Sequence, residues 1–344
     1  MKPISKRLRI TIQLLIVALC LAAVWWTVRK MGFQAVAEVA LHAHLGWLCL
    51  SFVPIVLRFV VWSAKWQRML RRTTDVSHGA VFRAVLAGAF INLVTPTAKL
   101  GGGIARALMI HKATGLRKSV AYGWSLADQL TNSLGNASLL AIIAIIGFTV
   151  MDDPQIGLTL LIIGFAAALV VYVFLRLRGF FWTTLQNATW LNRIRGWLPF
   201  GSSTEGSAKS GLAIRVMGPL LGPENTHGQI ISDMALGSLS FASLCVANAM
   251  VFKALGSEAS LLSITNGVIL GYFAGTLVGT MGGIGATEFF LVQIYTAMGV
   301  EPTVAMAATL LHRASYYGAT LLLGGAAVLM ETGSSFDTNL EKDS

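Results

Sequence analysis

Two short glycine-rich segments, each followed by a charged side chain, are the features of this sequence that most clearly point to chemistry. The first runs Gly101-Gly102-Gly103-Ile-Ala-Arg106, with Lys99 just before it. Glycines leave backbone N–H groups uncovered, and the positive end of a helix attracts anions. With the Arg106 and Lys99 side chains, this segment could bind the phosphate of a phosphodiester. The alternative is that the glycines only permit close helix packing.

The second segment, residues 282–288, reads Gly-Gly-Ile-Gly-Ala-Thr-Glu and places a carboxylate within an apolar stretch. A charge at membrane depth is costly unless it has a partner or a function. Glu288 could pair with Arg106 or Arg313, titrate, or bind a cationic headgroup, and a structural ion pair would explain it equally well. The candidate binding residues of this segment are Gly283, Gly285 and Glu288.

Other polar side chains interrupt apolar runs elsewhere in the chain. Asp128, Asn132 and Asn136 recur every four residues and therefore share one helix face. Because lipid penalises such a face, we expect it to line a cavity or to join helices. Arg58 lies in the middle of an apolar run and is expected to face a cavity, whereas Lys65 could extend to the membrane interface. A comparable cluster follows later in the chain: His312, Arg313, Tyr316 and Tyr317.

The composition identifies the class of protein that carries these residues. Of the 344 residues, 55% are hydrophobic and 12% are charged, and the mean hydropathy is +0.69. A soluble protein has about a quarter charged residues, so a soluble enzyme, a porin barrel and a disordered chain are excluded. The net charge of +11 comes from cations between apolar runs, which is typical of cytoplasmic loops beside anionic lipid and not of nucleic-acid binding.

Metal and cofactor sites are not indicated by the sequence. The three cysteines, Cys20, Cys49 and Cys245, lie in apolar runs and form no CxxC pair. The chain also contains no HExxH, Walker A or GxSxG motif. We therefore expect no disulfide, no metal and no cofactor.

The apolar runs predict an all-α polytopic membrane protein with about six full spans and two re-entrant helical hairpins arranged as an inverted repeat. The whole chain, 1–344, is expected to be one integral-membrane domain. The predicted full spans are 10–28, 46–64, 119–149, 156–175, 231–253 and 303–330. The predicted parts are a first half (45–175) with a hairpin at 79–113, a cytoplasmic amphipathic loop (176–230), a second half (231–330) with a hairpin at 260–299, and a polar tail (331–344).

Charge and spacing support this topology. Cations at the N-terminus and at 65–72 predict that both lie in the cytoplasm. The first hairpin is expected to enter and leave on that side, because its second arm is too short to cross easily. Asp128 and His312 stand thirteen residues beyond Gly115 and Gly299, at equal offsets in the two halves. The second hairpin would then open to the outside, although two full spans remain an alternative for 260–299.

On these residues the chain resembles the lysylphosphatidylglycerol synthase transmembrane (flippase-like) family. The resemblance covers about 45–330 and rests on residues 92–96 (Asn-Leu-Val-Thr-Pro), 101–106, Asp128, 282–288 and Arg313. It implies a stand-alone flippase-like unit of a bacterial inner membrane, without a soluble aminoacyltransferase domain. The chain departs from the family pattern at three positions, which are Gly103, Ser125 and Met281.

The resemblance and the residues together predict a transporter, not an enzyme, that moves the charged headgroup of an anionic or aminoacylated phospholipid. The alternatives are an integral-membrane transferase with Asp128 or Glu288 as general base, and an accessory subunit of a lipid-modifying enzyme. Expected partners are the phospholipid, the bilayer, and a second copy or a separate lipid-modifying enzyme. The predicted substrate-binding residues are Arg58, Lys99, Gly101, Gly102, Gly103, Arg106, Asp128, Asn132, Gly283, Gly285, Glu288 and Arg313.

Overall fold

The computed structural model describes residues 32–95, 100–150, 154–187, 211–223, 225–278 and 283–340, with isolated positions before residue 32. Within these ranges the chain forms eleven helices and no strand, which confirms the all-α prediction there. The helices are α1 (Phe33–Leu41), α2 (Leu45–Leu70), α3 (His78–Val94), α4 (Leu100–Thr114), α5 (Lys118–Val150), α6 (Pro154–Asn187), α7 (Gly211–Leu221), α8 (His227–Ala254), α9 (Leu261–Val278), α10 (Ala286–Ala297) and α11 (Pro302–Leu340).

Four of these helices are long and apolar enough to cross a bilayer. They are α2, α5 over Lys118–Phe148, α6 over Gly157–Thr184, and α8. They confirm four predicted spans, and the chain is a multi-pass membrane protein. The predicted first span, 10–28, lies outside the described residues except for isolated positions.

Helix α6 continues beyond the predicted start of the cytoplasmic loop. The sequence places the end of this span at 175, but the helix reaches Asn187. Arg178 therefore lies within this helix, and its Nη2 donates a 2.6 Å hydrogen bond to the Asn225 carbonyl oxygen. Most of the remaining predicted loop, 188–210, lies outside the described residues.

Helix α11 forms where the last span is predicted, but it is not among the four apolar helices. Its His312, Arg313 and neighbouring tyrosines lower its mean hydropathy. The Glu301 side chain caps the start of α11, because its carboxylate accepts hydrogen bonds from the Thr303 and Val304 amides at 3.1 and 2.9 Å. It also extends into the predicted polar tail, as far as Leu340.

Contacts between helix ends define two opposite faces of the molecule. On one face, Thr73 at the end of α2 accepts from Trp124 near the start of α5 at 2.8 Å. On the same face, Lys112 of α4 pairs with Glu331 of α11 at 3.0 Å. Exposed Arg71, Lys112, Arg117 and Lys118 lie there, and we call it the basic face. The start of α2 and the end of α8 lie on the opposite face, where the His44 amide donates to the Ala254 carbonyl at 2.7 Å.

Two pairs of short helices pack as antiparallel hairpins between the long ones. The pair α3–α4 starts and ends at the basic face, whereas α9–α10 starts and ends at the opposite face. Their bounds agree with the predicted hairpins at 79–113 and 260–299. The four arms have 17, 15, 18 and 12 residues, fewer than the ~20 needed to cross a bilayer.

Candidate functional site

Asp128 on α5 is fully buried and lies between two cations. Nη1 of Arg106, on α4, lies 2.6 Å from Oδ2, and Nζ of Lys65, on α2, lies 3.1 Å from Oδ1. The Trp62 indole also donates to Oδ2 at 2.8 Å. We call Lys65, Arg106 and Asp128 the first cluster. Two cations and one carboxylate give it a net charge of +1.

The first cluster is held at the junction of α2, α4 and α5. The Lys65 ammonium also donates to Asn132 Oδ1 at 2.7 Å, so the polar stripe of α5 faces α2. The Arg106 guanidinium lies over the rings of Trp62 and Trp66, at 5.1 and 4.7 Å from their centroids. These contacts fix both cations, because each is held by a carboxylate and by packing or further hydrogen bonds.

A second group of polar side chains joins α9, α10 and α11. Glu288 Oε1 lies 2.7 Å from Arg313 Nε and accepts from the Tyr317 hydroxyl at 3.1 Å. Tyr317 also contacts Arg313 Nη2. The Tyr272 hydroxyl and His312 Nε2 are 3.1 Å apart, and the Arg313 guanidinium lies over the Tyr272 ring. We call this the second cluster. Of the two partners considered for Glu288, the structure pairs it with Arg313.

Arg58 lies between the two clusters. Its guanidinium carbon is 5.8 Å from the Trp62 ring centroid and 5.5 Å from that of Tyr316, which neighbours Tyr317. Its Nε and Nη1 are buried and have no hydrogen-bond partner among the described residues. Arg58 thus faces the interior, as its position in the sequence predicts, and it connects the Asp128 side of the core to the Glu288 side.

The glycines of the first segment hold helices in close contact. A Cβ on Gly102 would lie 2.1 Å from the Gly88 carbonyl oxygen, and one on Gly103 would lie 2.9 Å from Gln129 Nε2. The Gly102 amide donates to Asn92 Oδ1 at 2.8 Å, so it is not available to an anion. Gly102 and Gly103 therefore have the packing role. Gly101 lies in the first turn of the same helix, and Lys99 lies outside the described residues.

The glycines of the second segment form a turn that only glycine adopts easily. Gly283 and Gly285 have φ angles of +77° and +80°, in the left-handed region. The chain therefore turns immediately before α10, and Glu288 falls in the first turn of that helix. A carboxylate there is favoured by the positive end of the helix dipole. The first glycine of the motif, Gly282, lies outside the described residues.

Lys65 is the principal residue whose role the sequence did not reveal. The prediction that it reaches the membrane interface is wrong, because its side chain is 0% exposed. Asp128 and Asn132 provide buried partners that an interfacial position would lose. A signal was present: Lys65 follows Arg58 by seven residues, or two helical turns, and so shares its face.

A glycine stripe on α9 was also missed. Gly267, Gly271 and Gly275 recur every four residues, and a Cβ on each would meet α10 at 2.7 Å or less. Small residues at this spacing allow membrane helices to approach closely. The second hairpin is therefore packed as tightly as the first, which the spacing alone could have indicated.

No group of three or more His, Cys, Asp or Glu side chains in the described ranges is arranged to hold a metal ion. The carboxylates of the two clusters are instead bound by cations. What the described interior offers is positive charge. Four cations, Arg58, Lys65, Arg106 and Arg313, face two carboxylates, Asp128 and Glu288. Such an interior is suited to an anionic ligand.

Comparison with known proteins identifies the family of this membrane protein. A family model described as the lysylphosphatidylglycerol synthase TM region matches residues 10–324. A UPF0104 membrane protein of Pyrococcus horikoshii is 23% identical over 326 residues, covering 91% of this chain and 94% of the relative. Another, of Methanothermobacter thermautotrophicus, is 26% identical over 289 residues, covering 80% and 83%. The chain therefore belongs to the lysylphosphatidylglycerol synthase transmembrane-region family.

Proposed function

We propose that the protein is a flippase-like transporter that moves the charged headgroup of a phospholipid past its polar core while the acyl tails stay in the bilayer. The observation that carries this proposal is the excess of buried cations around Arg58. An unassisted charge at the bilayer centre costs at least ~3 kcal/mol, so fixed charges of opposite sign lower the barrier to its passage. Membership of the family is consistent with this function.

The residues have distinct roles in this proposal. Arg58 binds the phosphate directly, because its Nε and Nη1 lack an acceptor among the described residues. Arg106 and Lys65 supply positive potential from beside Asp128, which holds them in place. Arg313, positioned by Glu288, does the same at the other end of the core. Lys99, which lies outside the described residues, remains a predicted contact of the lipid headgroup beside Arg106.

We further propose that the basic face is cytoplasmic and that the two hairpins are re-entrant elements of an inverted repeat. The positive-inside tendency of membrane proteins supports the orientation. At ~1.5 Å per residue, the 17 residues of α3 span about 26 Å and the 12 of α10 about 18 Å, less than a ~30 Å core. The N-terminus would then be cytoplasmic, with α3–α4 open to the inside and α9–α10 open to the outside.

A transferase is less well supported by the contacts of its candidate bases. A general base needs a carboxylate that can accept a proton. Each oxygen of Asp128 is contacted by a cation. Glu288 is bound through Oε1 by Arg313 and Tyr317, which leaves its buried Oε2 as the one carboxylate oxygen of the two clusters without a partner among the described residues. Product formation by the purified protein, dependent on an added acyl or glycosyl donor, would favour the enzyme over the transporter.

Lipid movement can be measured with purified protein in liposomes that carry a phospholipid with a fluorescent tail. A membrane-impermeant reductant bleaches the outer leaflet, and transport exposes the inner-leaflet lipid as well. Arg106→Gln should slow this second phase about tenfold or more, since removing a unit charge roughly 10 Å from the phosphate changes the interaction energy by about 1.7 kcal/mol at an effective dielectric constant of about 20. Lys65 still balances Asp128 in this variant, so it should remain folded. Arg83→Gln, at an exposed position on α3, is the matched control. Equal rates for Arg106→Gln and the control would contradict the proposal.

The orientation is tested separately by cysteine labelling in a variant without the native cysteines. One cysteine at a time is then introduced at two exposed positions: Glu258→Cys next to the end of α8, and Arg117→Cys on the basic face. An impermeant thiol reagent added to intact cells should label Glu258→Cys and spare Arg117→Cys until the membrane is opened. The reverse pattern would place the basic face outside.

A further inference from the structure

We infer that the polar core selects phospholipids with a net negative headgroup over net positive ones such as the lysyl ester of phosphatidylglycerol, and that Arg58 sets this preference. The inference rests on the proposed transport function and specifies its substrate class. It follows from the sum of charges in the core, from the occupancy of its aromatic rings, and from the Nε and Nη1 groups of Arg58, which are buried without a partner among the described residues.

The charge of the described core is positive. Four cations and two carboxylates give a sum of +2, and removing any one cation still leaves it positive. Asp233 on α8 does not change this sum, because it pairs with Arg72 at 2.6 Å. A headgroup with one negative charge lowers the sum to +1, whereas a headgroup with one positive charge raises it to +3. In a site shielded from water, the first is stabilised and the second is repelled.

A cationic headgroup would need a carboxylate or an aromatic face, and most of those in the core are occupied. Both oxygens of Asp128 contact cations. An ammonium group can bind over an aromatic ring, but resident guanidinium groups already lie over the rings of the core. These pairs are Arg106 with Trp62 and Trp66, Arg58 with Trp62 and Tyr316, and Arg313 with Tyr272 and Tyr317.

Within the two clusters, one carboxylate oxygen remains for a cationic group, and it provides a matched test. Glu288 Oε2 is buried and has no hydrogen-bond partner among the described residues. If a cationic headgroup were the substrate, this oxygen would be its contact, and Glu288→Gln would weaken binding of that headgroup in particular. The adjacent Arg313 opposes such binding, since it lies on the same carboxylate.

Arg58 has the opposite property, because it offers buried donors without an acceptor. The rings of Trp62 and Tyr316 hold its guanidinium in place. A buried guanidinium without an acceptor is unfavourable, and the phosphate oxygens of a lipid would satisfy it. Arg58→Met removes this donor without breaking an ion pair among the described residues, so the variant should fold. It also lowers the sum of charges from +2 to +1, and Arg58→Glu lowers it to zero.

Three tail-labelled lipids test the preference in liposomes: phosphatidylglycerol, zwitterionic phosphatidylethanolamine and lysylphosphatidylglycerol, whose headgroup is net positive. The wild-type protein should move phosphatidylglycerol about tenfold or more faster than lysylphosphatidylglycerol, with phosphatidylethanolamine between them. Arg58→Met should reduce this ratio, Arg58→Glu should nearly abolish it, and the control Arg83→Gln should preserve it. Thermal stabilisation of the detergent-solubilised protein by the same lipids should follow the same order.

The outcomes separate this inference from the proposed function. Protein-dependent movement of all three lipids at one rate overturns the preference and leaves transport intact. Faster movement of lysylphosphatidylglycerol, lost in Glu288→Gln, overturns the preference and assigns the site to a cationic headgroup. If no lipid moves but phosphatidylglycerol alone stabilises the protein, the preference holds and the transport function fails. If no lipid moves and none stabilises selectively, both fail.

Discussion

Asp128→Asn removes the carboxylate between Lys65 and Arg106 while keeping the size of the side chain. In the wild-type protein both cations contact this carboxylate, at 3.1 and 2.6 Å, and the Lys65 and Asp128 side chains are 0% exposed. After the substitution the first cluster has a charge of +2 without a counter-charge. Removing one partner of a buried ion pair costs about 3–5 kcal/mol, because the remaining charge is left uncompensated.

Adding Lys65→Met to this variant should cost less than Lys65→Met costs in the wild-type protein. The double variant retains Arg106 alone, so the cluster again has a charge of +1, and the introduced asparagine side chain would still offer its amide oxygen. Residues within one such network show coupling energies of about 0.5–3 kcal/mol. We therefore expect the loss in the double variant to be smaller than the sum of the two single losses by an amount in that range.

Cys245 provides the assay. It is buried on α8, so a thiol-reactive fluorescent dye should reach it when the protein unfolds, once Cys20 and Cys49 are replaced by serine. A loss of 3–5 kcal/mol should lower Tm by about 6 °C or more, at roughly 2–4 °C per kcal/mol for chains of this order of size. An unchanged Tm for Asp128→Asn would refute the account of the first cluster. A double variant whose loss of stability equals the sum of the two single losses would refute the account as well.

Three further substitutions test the packing and the charges separately, with Tm as the measurement. Gly102→Ala should cost about 1–3 kcal/mol or more, since its methyl would lie 2.1 Å from the Gly88 carbonyl oxygen, whereas Gly179→Ala meets nothing within 4 Å and should be nearly neutral. A tolerated Gly102→Ala would mean that the hairpin arms can separate. Glu288→Gln should lower Tm because Arg313 loses its buried counter-charge, and a wild-type Tm would show that Tyr317 alone satisfies the guanidinium. Lys112→Gln should change the free energy of unfolding by less than ~1 kcal/mol, because the side chains of its pair with Glu331 are 51% and 27% exposed, and a larger loss would reveal a structural role for that pair.

Local patterns in the sequence were sufficient to predict where the described helices lie. Apolar runs of span length predicted α2, α5, α6 and α8, and shorter apolar runs predicted the helix pairs α3–α4 and α9–α10. The four-residue spacing of Asp128 and Asn132 placed both on one face of α5, and both contact Lys65. Each of these inferences uses residues within one or two helical turns, where geometry fixes which side chains are neighbours.

Partners in three dimensions could not be predicted in the same way. Lys65 and Asp128 are 63 residues apart, so their contact depends on how α2 packs against α5. The prediction for Lys65 followed the usual behaviour of a lysine near a span end, and the buried carboxylate reversed it. Helix α6 also extends further than predicted, and its Arg178 donates to the Asn225 carbonyl oxygen, a contact between distant parts of the chain that local patterns do not reveal.

The polar inward side of α11 has a practical consequence for related chains. Its charged and phenolic groups lower the mean hydropathy of this helix below that of the four apolar helices. The helix nevertheless extends from the face opposite the basic face, where Ala254 lies, to the Glu331 ion pair with Lys112 on the basic face. A topology drawn only from helices above a hydropathy threshold would omit α11. Under the orientation that we propose, such a drawing would place the end of α11 outside instead of in the cytoplasm, and a reporter fused after Glu331 distinguishes the two.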